Sequence, residues 1–279
     1  MKKYILLPVL LILITACSKP EQTINNPERI GTEDPKDTEN ISQVMSSYKL
    51  GYMMFPAKMD YRDLDKLVLL ERDADNQVIK RVGGMYEAFN EMIGFSYDFS
   101  EKIYDEVSHE TDRIIVKRST TDPEIVLPEF VRTYILGEED KILQKIIDTP
   151  EQKDTLDYNY DADGKLSTII SRNTLNPKHI QISLNSSGNL DTLKTFYYDN
   201  EMNLEKKVIE TFNGYDQAEN PIKDLSIFEE LFYRSLSTNN YTFYMIMETT
   251  YYNGGWKGYS TYREYSLKYD IKGQVMFEE

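Results

Sequence analysis

The chain has 279 residues, 40% hydrophobic and 12% aromatic, and its 47 acidic residues outnumber 32 Lys and Arg for a net charge of −15. That balance excludes nucleic acid and anionic lipid surfaces as partners, because both would repel it, and it favours solubility. A single cysteine, Cys17, excludes an internal disulfide framework, so packing alone must stabilise the fold.

At the N-terminus Lys2 and Lys3 form a positive head, Tyr4 to Ile14 an apolar stretch, and Ile14-Thr15-Ala16 leads directly into Cys17. The stretch is about 11 residues long, too short for a hydrocarbon core that needs roughly 20. Its charged head and short apolar core predict a signal peptide over residues 1–16. The four residues ending in Cys17 resemble the lipobox of bacterial lipoproteins. The resemblance implies cleavage before Cys17, acylation of its sulfur and acylation of the new amine. Two or more acyl chains anchor stably, at about 0.8 kcal/mol per buried methylene. Ser18 in place of Asp implies the outer membrane. The run Ser18-Lys19-Pro20-Glu21-Gln22 holds one acid only, which leaves the periplasmic and cell-surface faces both open.

Residues 17–45 then form the lipidated Cys and a polar tether. Pro20, Pro27 and Pro35 fall in it and aromatic residues do not, so it cannot repay its ordering entropy. Flexible-coil scaling gives a span on the order of 25–30 Å. Residues 46–279 are long enough for one sizeable domain.

Within that domain a seven-residue pattern recurs: an aromatic or apolar residue, Asp, two variable residues, a turn residue, a polar residue and an aliphatic one. Tyr160 to Leu166 and Tyr269 to Val275 are the cleanest copies, and weaker ones start at Arg72, Tyr97, Leu136, Leu184 and Tyr198. The physical basis is a hairpin turn. The Asp side chain accepts from turn N–H groups, and the fifth residue takes positive φ. Asn76, Asp140, Gly164, Gly188 and Gly273 suit that position, whereas Glu101 and Met202 do not. Starts at 136, 160 and 184 are evenly spaced by two strands and two turns, which puts those turns at one end of a sheet; the shorter step to 198 puts its turn at the other. The prediction is an all-β antiparallel up-and-down meander of roughly 12 strands, curled or barrel-like and water-soluble.

Two segments depart from the meander. Met85, Phe89, Met92 and Ile93 share a helical face over 85–93. Ser226-Ile227-Phe228-Glu229 is a capping-box pattern, and the apolar spacing that follows predicts a short covering helix over 226–236. Phe243 to Met247 is apolar without alternation, as in a strand buried on both faces, and the helix is expected to pack against it. Charged residues on the outward strand faces exclude a transmembrane barrel.

The string Tyr158 to Leu166 resembles the YD repeats of Rhs-type shell proteins. Combined with the lipobox and tether, it is similar to outer-membrane lipoproteins that carry YD-like hairpins and a porin-like or barrel-like sheet. That resemblance implies architecture and location over residues 48–279, and no reaction.

Candidates for chemistry are sparse. His109 and His179 lie far apart, and either is more economically a surface residue. Asp161-Ala162-Asp163-Gly164 lacks the third acid and distal Glu of a calcium loop. No metal, cofactor or catalytic residue is implied, and paired carboxylates acting in glycoside hydrolysis stand third among the readings. The best binding candidate is the glycine-rich turn holding Tyr251, Tyr252, Asn253, Trp256 and Tyr259, whose rings and amide suit sugar faces or an apolar partner edge. The competing reading folds Trp256 back onto the sheet. The leading function is a lipid-anchored, non-enzymatic binding module for a glycan, peptide or protein partner, followed by an accessory subunit of an outer-membrane complex. A cleft around Trp256 would favour a ligand, and a flat apolar patch a subunit role.

Overall fold

A computed structural model describes residues 45–52, 65–90, 94–127, 131–150, 153–173, 177–252 and 254–277, with backbone alone for 87–90 and 94–97. The signal peptide, Cys17, the tether and Asn253 lie outside the described residues.

Fourteen strands follow one another in a single antiparallel sheet: β1 (Ser47–Lys49), β2 (Leu67–Arg72), β3 (Val78–Asn90), β4 (Gly94–His109), β5 (Arg113–Thr120), β6 (Val131–Leu136), β7 (Ile142–Asp148), β8 (Lys153–Tyr160), β9 (Leu166–Ser171), β10 (Lys178–Leu184), β11 (Leu190–Tyr198), β12 (Leu204–Tyr215), β13 (Tyr241–Tyr252) and β14 (Gly255–Glu264). Spatial order equals chain order throughout, as the even spacing of the turns requires. A small hairpin of β15 (Lys268–Tyr269) and β16 (Val275–Met276) completes the chain. The sheet curls without direct pairing of β1 to β14. Instead the Lys49 N–H donates to the Phe277 carbonyl at 2.7 Å, so the last segment meets the first strand.

The repeat turns form as their chemistry dictates. Asp161 Oδ1 accepts from the N–H groups of Asp163 and Lys165 at 3.0 and 2.9 Å. Asp73, Asn185, Asp199 and Asp270 repeat this pair of bonds in their own turns. Asn76, Asp140, Gly164, Gly188 and Gly273 all have positive φ. Met202 does too, at φ 65°, so the Tyr198 copy folds as a turn with an ill-suited residue. The Tyr97 copy does not: Glu101 lies inside β4, at the register shift between the Gly84–Ser100 and Val82–Tyr104 pairs.

Three further expectations are corrected. Residues 85–90 are strand, because pairing from Met85–Phe99 to Asn90–Gly94 in a long hairpin outweighs the helical spacing of their apolar residues. The helix α1 is shorter than expected, Glu229–Ser235, and its N-cap is Phe228 without a side-chain cap bond, so the capping box at Ser226 does not form. Glu229 turns to a lysine on the sheet instead of reaching back to the cap. Phe243 to Met247 is not buried on both faces: only Tyr244 is fully buried, and the residues beside it are half-exposed.

The β12–β13 connection carries α1, and it leaves from the end where the turns at 73–77, 137–141, 161–165 and 185–189 lie. We term this the plug end; the opposite end, with the β13–β14 turn, is the hairpin end. From the plug end the connection folds into the concave face. Ile222, Leu225, Phe228 and Leu231 are fully buried in one core with Leu190, Leu193, Phe212, Tyr241 and Tyr244. Tyr158 meets Phe232 edge-on at 6.0 Å, and the Tyr134 hydroxyl donates to the Ile227 carbonyl at 2.5 Å. Arg234 closes the other side of the plug. Its guanidinium stacks 3.7 Å from the Tyr241 ring and donates to the carbonyls of Tyr241 and Tyr52. The plug therefore meets β13 at Tyr241 and shares its core with Tyr244, inside the expected 243–247 segment. Outward positions carry Glu71, Lys80, Glu106 and Lys117 in cross-strand register, and Asp157, Lys194 and Lys207 on later strands, charges that interrupt the apolar band a membrane barrel needs.

Candidate functional site

Strand alternation sorts the aromatic hairpin into two faces. Tyr251 pairs with Trp256 and Tyr252 with Gly255 across the β13–β14 ladder. Tyr251, Trp256, Gly258, Tyr262, Met245 and Phe243 point outward. Tyr252 and Tyr259 share the face of the buried Tyr244. The structure therefore joins Trp256 to Tyr251 and separates both from Tyr252 and Tyr259.

Trp256 is 70% exposed, yet it does not stand free. A Cβ on Gly258 would come within 3.3 Å of the indole Cζ3, so the ring lies along the strand over that glycine. The Cε3–Cζ3 edge of the indole lies against that glycine, and most of the ring meets solvent. Farther along, Tyr262 stacks on Phe243 with centroids 5.9 Å apart and planes at 17°. Tyr262 was not among the expected site residues, although the alternation Trp256, Gly258, Ser260, Tyr262 would have found it. The outcome is an outward aromatic ribbon along β13 and β14.

A second arrangement lies inside. A cavity of about 500 Å³ opens between α1 and the concave faces of β3–β10. Arg81, Arg118, Arg132, Lys145 and Lys178 line it, one from each of five strands, together with Glu229 and Glu230 of the plug. Behind them Asp105 is fully buried and pairs with Arg81 at 3.0 Å, Arg118 at 3.0 Å and Arg132 at 3.2 Å. Burial pushes the Asp105 carboxyl up, but the three guanidiniums together outweigh it and hold it at about 2. Arg81, 1% exposed, also pairs with Glu230, whose Oε1 accepts from the Tyr48 hydroxyl. Lys145 Nζ lies 2.6 Å from Glu229 Oε1 and holds that carboxyl down at about 2, against the opposing effect of burial. The Glu229 side chain is 63% exposed, so the cavity is open to water. Burial, then the charge of Lys145, lowers Lys178.

On β12, Glu210 accepts from the Tyr244 hydroxyl at 2.9 Å, and burial pushes its carboxyl up to about 7. His109 Nε2 lies 2.9 Å from the Val78 carbonyl on β4, and His179 lies beside Phe196 on β10, so the fold does not bring the histidines together. Asp161 is engaged by its own turn. Among the described residues no group of three or more His, Cys, Asp or Glu is placed to hold a metal ion.

No protein-family model matches the chain, and no curated protein matches it. Solved structures with a similar fold include a porin-like protein from Bacteroides vulgatus, 14% identical with a TM-score of 0.47, covering 83% of this chain and 89% of that one. Another is a porin-like protein from Bacteroides uniformis, 9% identical with a TM-score of 0.40, covering 72% of this chain and 90% of that one.

Proposed function

We propose that the protein is a lipid-anchored, non-enzymatic binding module of the bacterial outer membrane, seating its partner on the outward ribbon of Trp256, Tyr251, Tyr262 and Phe243. The observation that carries this reading is the exposed indole held over Gly258 by its Cε3–Cζ3 edge, with most of the ring free for contact. An exposed aromatic surface suits an extended glycan chain or the surface of a partner protein. The same exposure favours a second reading, an accessory subunit of an envelope complex. The anchor rests on Cys17 behind its charged and apolar leader.

The test is a glycan array together with a pull-down from native envelope, using wild type and Trp256→Ala. Trp256→Ala should abolish capture while shifting stability by no more than about 0.5 kcal/mol. A glycan signal selects the first reading, and one stoichiometric protein partner selects the second. Unchanged capture would remove the ribbon from both. In parallel, Cys17→Ala should be unlipidated; if wild type carries no acyl chain by mass spectrometry, the anchor is wrong.

A further inference from the structure

The interior cavity is separate from the ribbon, and one of its five cationic side chains stands apart from the others. Five cationic side chains face two carboxylates on the cavity wall, with Asp105 behind the arginines as a third. A purely structural network would pair each buried charge, since an uncompensated one is costly. Asp105 serves Arg81, Arg118 and Arg132, Glu230 adds to Arg81, and Glu229 serves Lys145.

Lys178 is different: it lines the cavity without a hydrogen bond or ion pair to any described residue. The charges of Glu229 and then Asp154 act on it, but Glu229 Oε1 is held by Lys145 Nζ at 2.6 Å and Asp154 Oδ1 already accepts from Ser171 Oγ at 3.0 Å. Around these charges the wall is apolar and aromatic, formed by Leu156, Ile169, Tyr158, Phe232 and Tyr233. The volume falls within the range of small-molecule sites.

We propose that this cavity binds a small organic anion, a carboxylate or phosphate monoester carrying an apolar body, with Lys178 as the counter-ion and the ring-lined wall holding the body. The plug helix forms one wall and the sheet the other, and the exposed flank of Glu229 marks the opening.

The test is calorimetric titration of the full-length protein in dodecyl maltoside. The probes are 1-naphthoate and 1-naphthyl phosphate, with 1-naphthamide as the neutral match and inorganic phosphate as the bare anion. At least one naphthyl anion should bind, with 1-naphthamide and inorganic phosphate each weaker by about tenfold or more. Lys178→Met should weaken the anion by about tenfold or more while melting no lower than wild type, because it removes an unpaired charge. Lys178→Arg, which keeps the charge, should bind within about threefold of wild type. The proposal is overturned if neither naphthyl anion binds, if 1-naphthamide binds equally, or if Lys178→Met binds as wild type does. Trp256→Ala serves as a control on the other site and should bind the anion normally.

Discussion

The two ends of the sheet are built from the same alternating strands and solve burial in opposite ways. At the plug end the inward residues are Leu190, Leu193, Phe212 and Tyr241, and the chain fills the space with Ile222, Leu225, Phe228 and Leu231. Toward the hairpin end the inward residues of β5, β6 and β10 are Arg118, Arg132 and Lys178, and the space stays open as a cavity. A filled core gains from the area it removes from water. A charged wall gains nothing from burial, so it stands only where counter-charges arrive. The plug supplies two of them, Glu229 and Glu230, from its first turn. The helix thus works in both regions, filling one with side chains and neutralising the other with carboxylates.

The sharpest way to break this comparison is at Asp105. Asp105→Asn strands three guanidiniums, those of Arg81 and Arg132 buried, and should cost about 3–5 kcal/mol in urea unfolding at pH 7. The carboxyl is held below its ordinary 3.8, so the stability it confers is fully present above that value and fades as pH falls toward 2. The variant should lack this acid-side slope. If Asp105→Asn unfolds with wild-type stability, the charged half is not held together by this residue.

The packed half is tested by Phe228→Ala, which opens a void under the plug and should cost about 3–4 kcal/mol with no change in pH dependence. Between the halves stands Glu210. Its carboxyl is raised from 4.5 to about 7, so the folded state holds its proton longer than the unfolded one. That contribution is complete below 4.5 and is lost as pH rises through 7. Glu210→Gln keeps an acceptor for Tyr244 and should be more stable than wild type by about 2 kcal/mol at pH 8 and nearly equal at pH 4. The smallest effect is expected outside both halves. Met202→Gly relieves a side chain at positive φ in the β11–β12 turn and should raise stability by about 1 kcal/mol in thermal melts.

How far the sequence foretold all this depends on the range of each signal. The turns are local: one Asp or Asn and, three positions on, one residue at positive φ define a hairpin, so strand order followed from spacing. The segment at 85–90 misled because apolar residues at helical spacing also occur in a strand, and only the pairing with β4 decides between them. Of the aromatic site, Trp256 and Tyr251 were legible as neighbours, but membership of a face depends on register. Register separates Tyr252 and Tyr259 from them and adds Tyr262. The cavity was not legible at all. Arg81, Asp105, Arg118 and Arg132 are scattered over four strands, and alternation alone assigns such residues to solvent. Their inward placement depends on carboxylates at 229 and 230, nearly a hundred residues beyond the last of them.

The bond from Lys49 to the Phe277 carbonyl has a kinetic corollary. Most hairpins of the meander close over short loops, so the ladder can grow strand by strand from either direction. The contact between the first strand and the C-terminal segment belongs to no hairpin, and it joins residues 49 and 277 across almost the whole domain. Such long-range closure is the slow event in folding. The sheet should zip early and latch late, with Arg234, Tyr265 and Phe277 entering their shared cluster only in that final step.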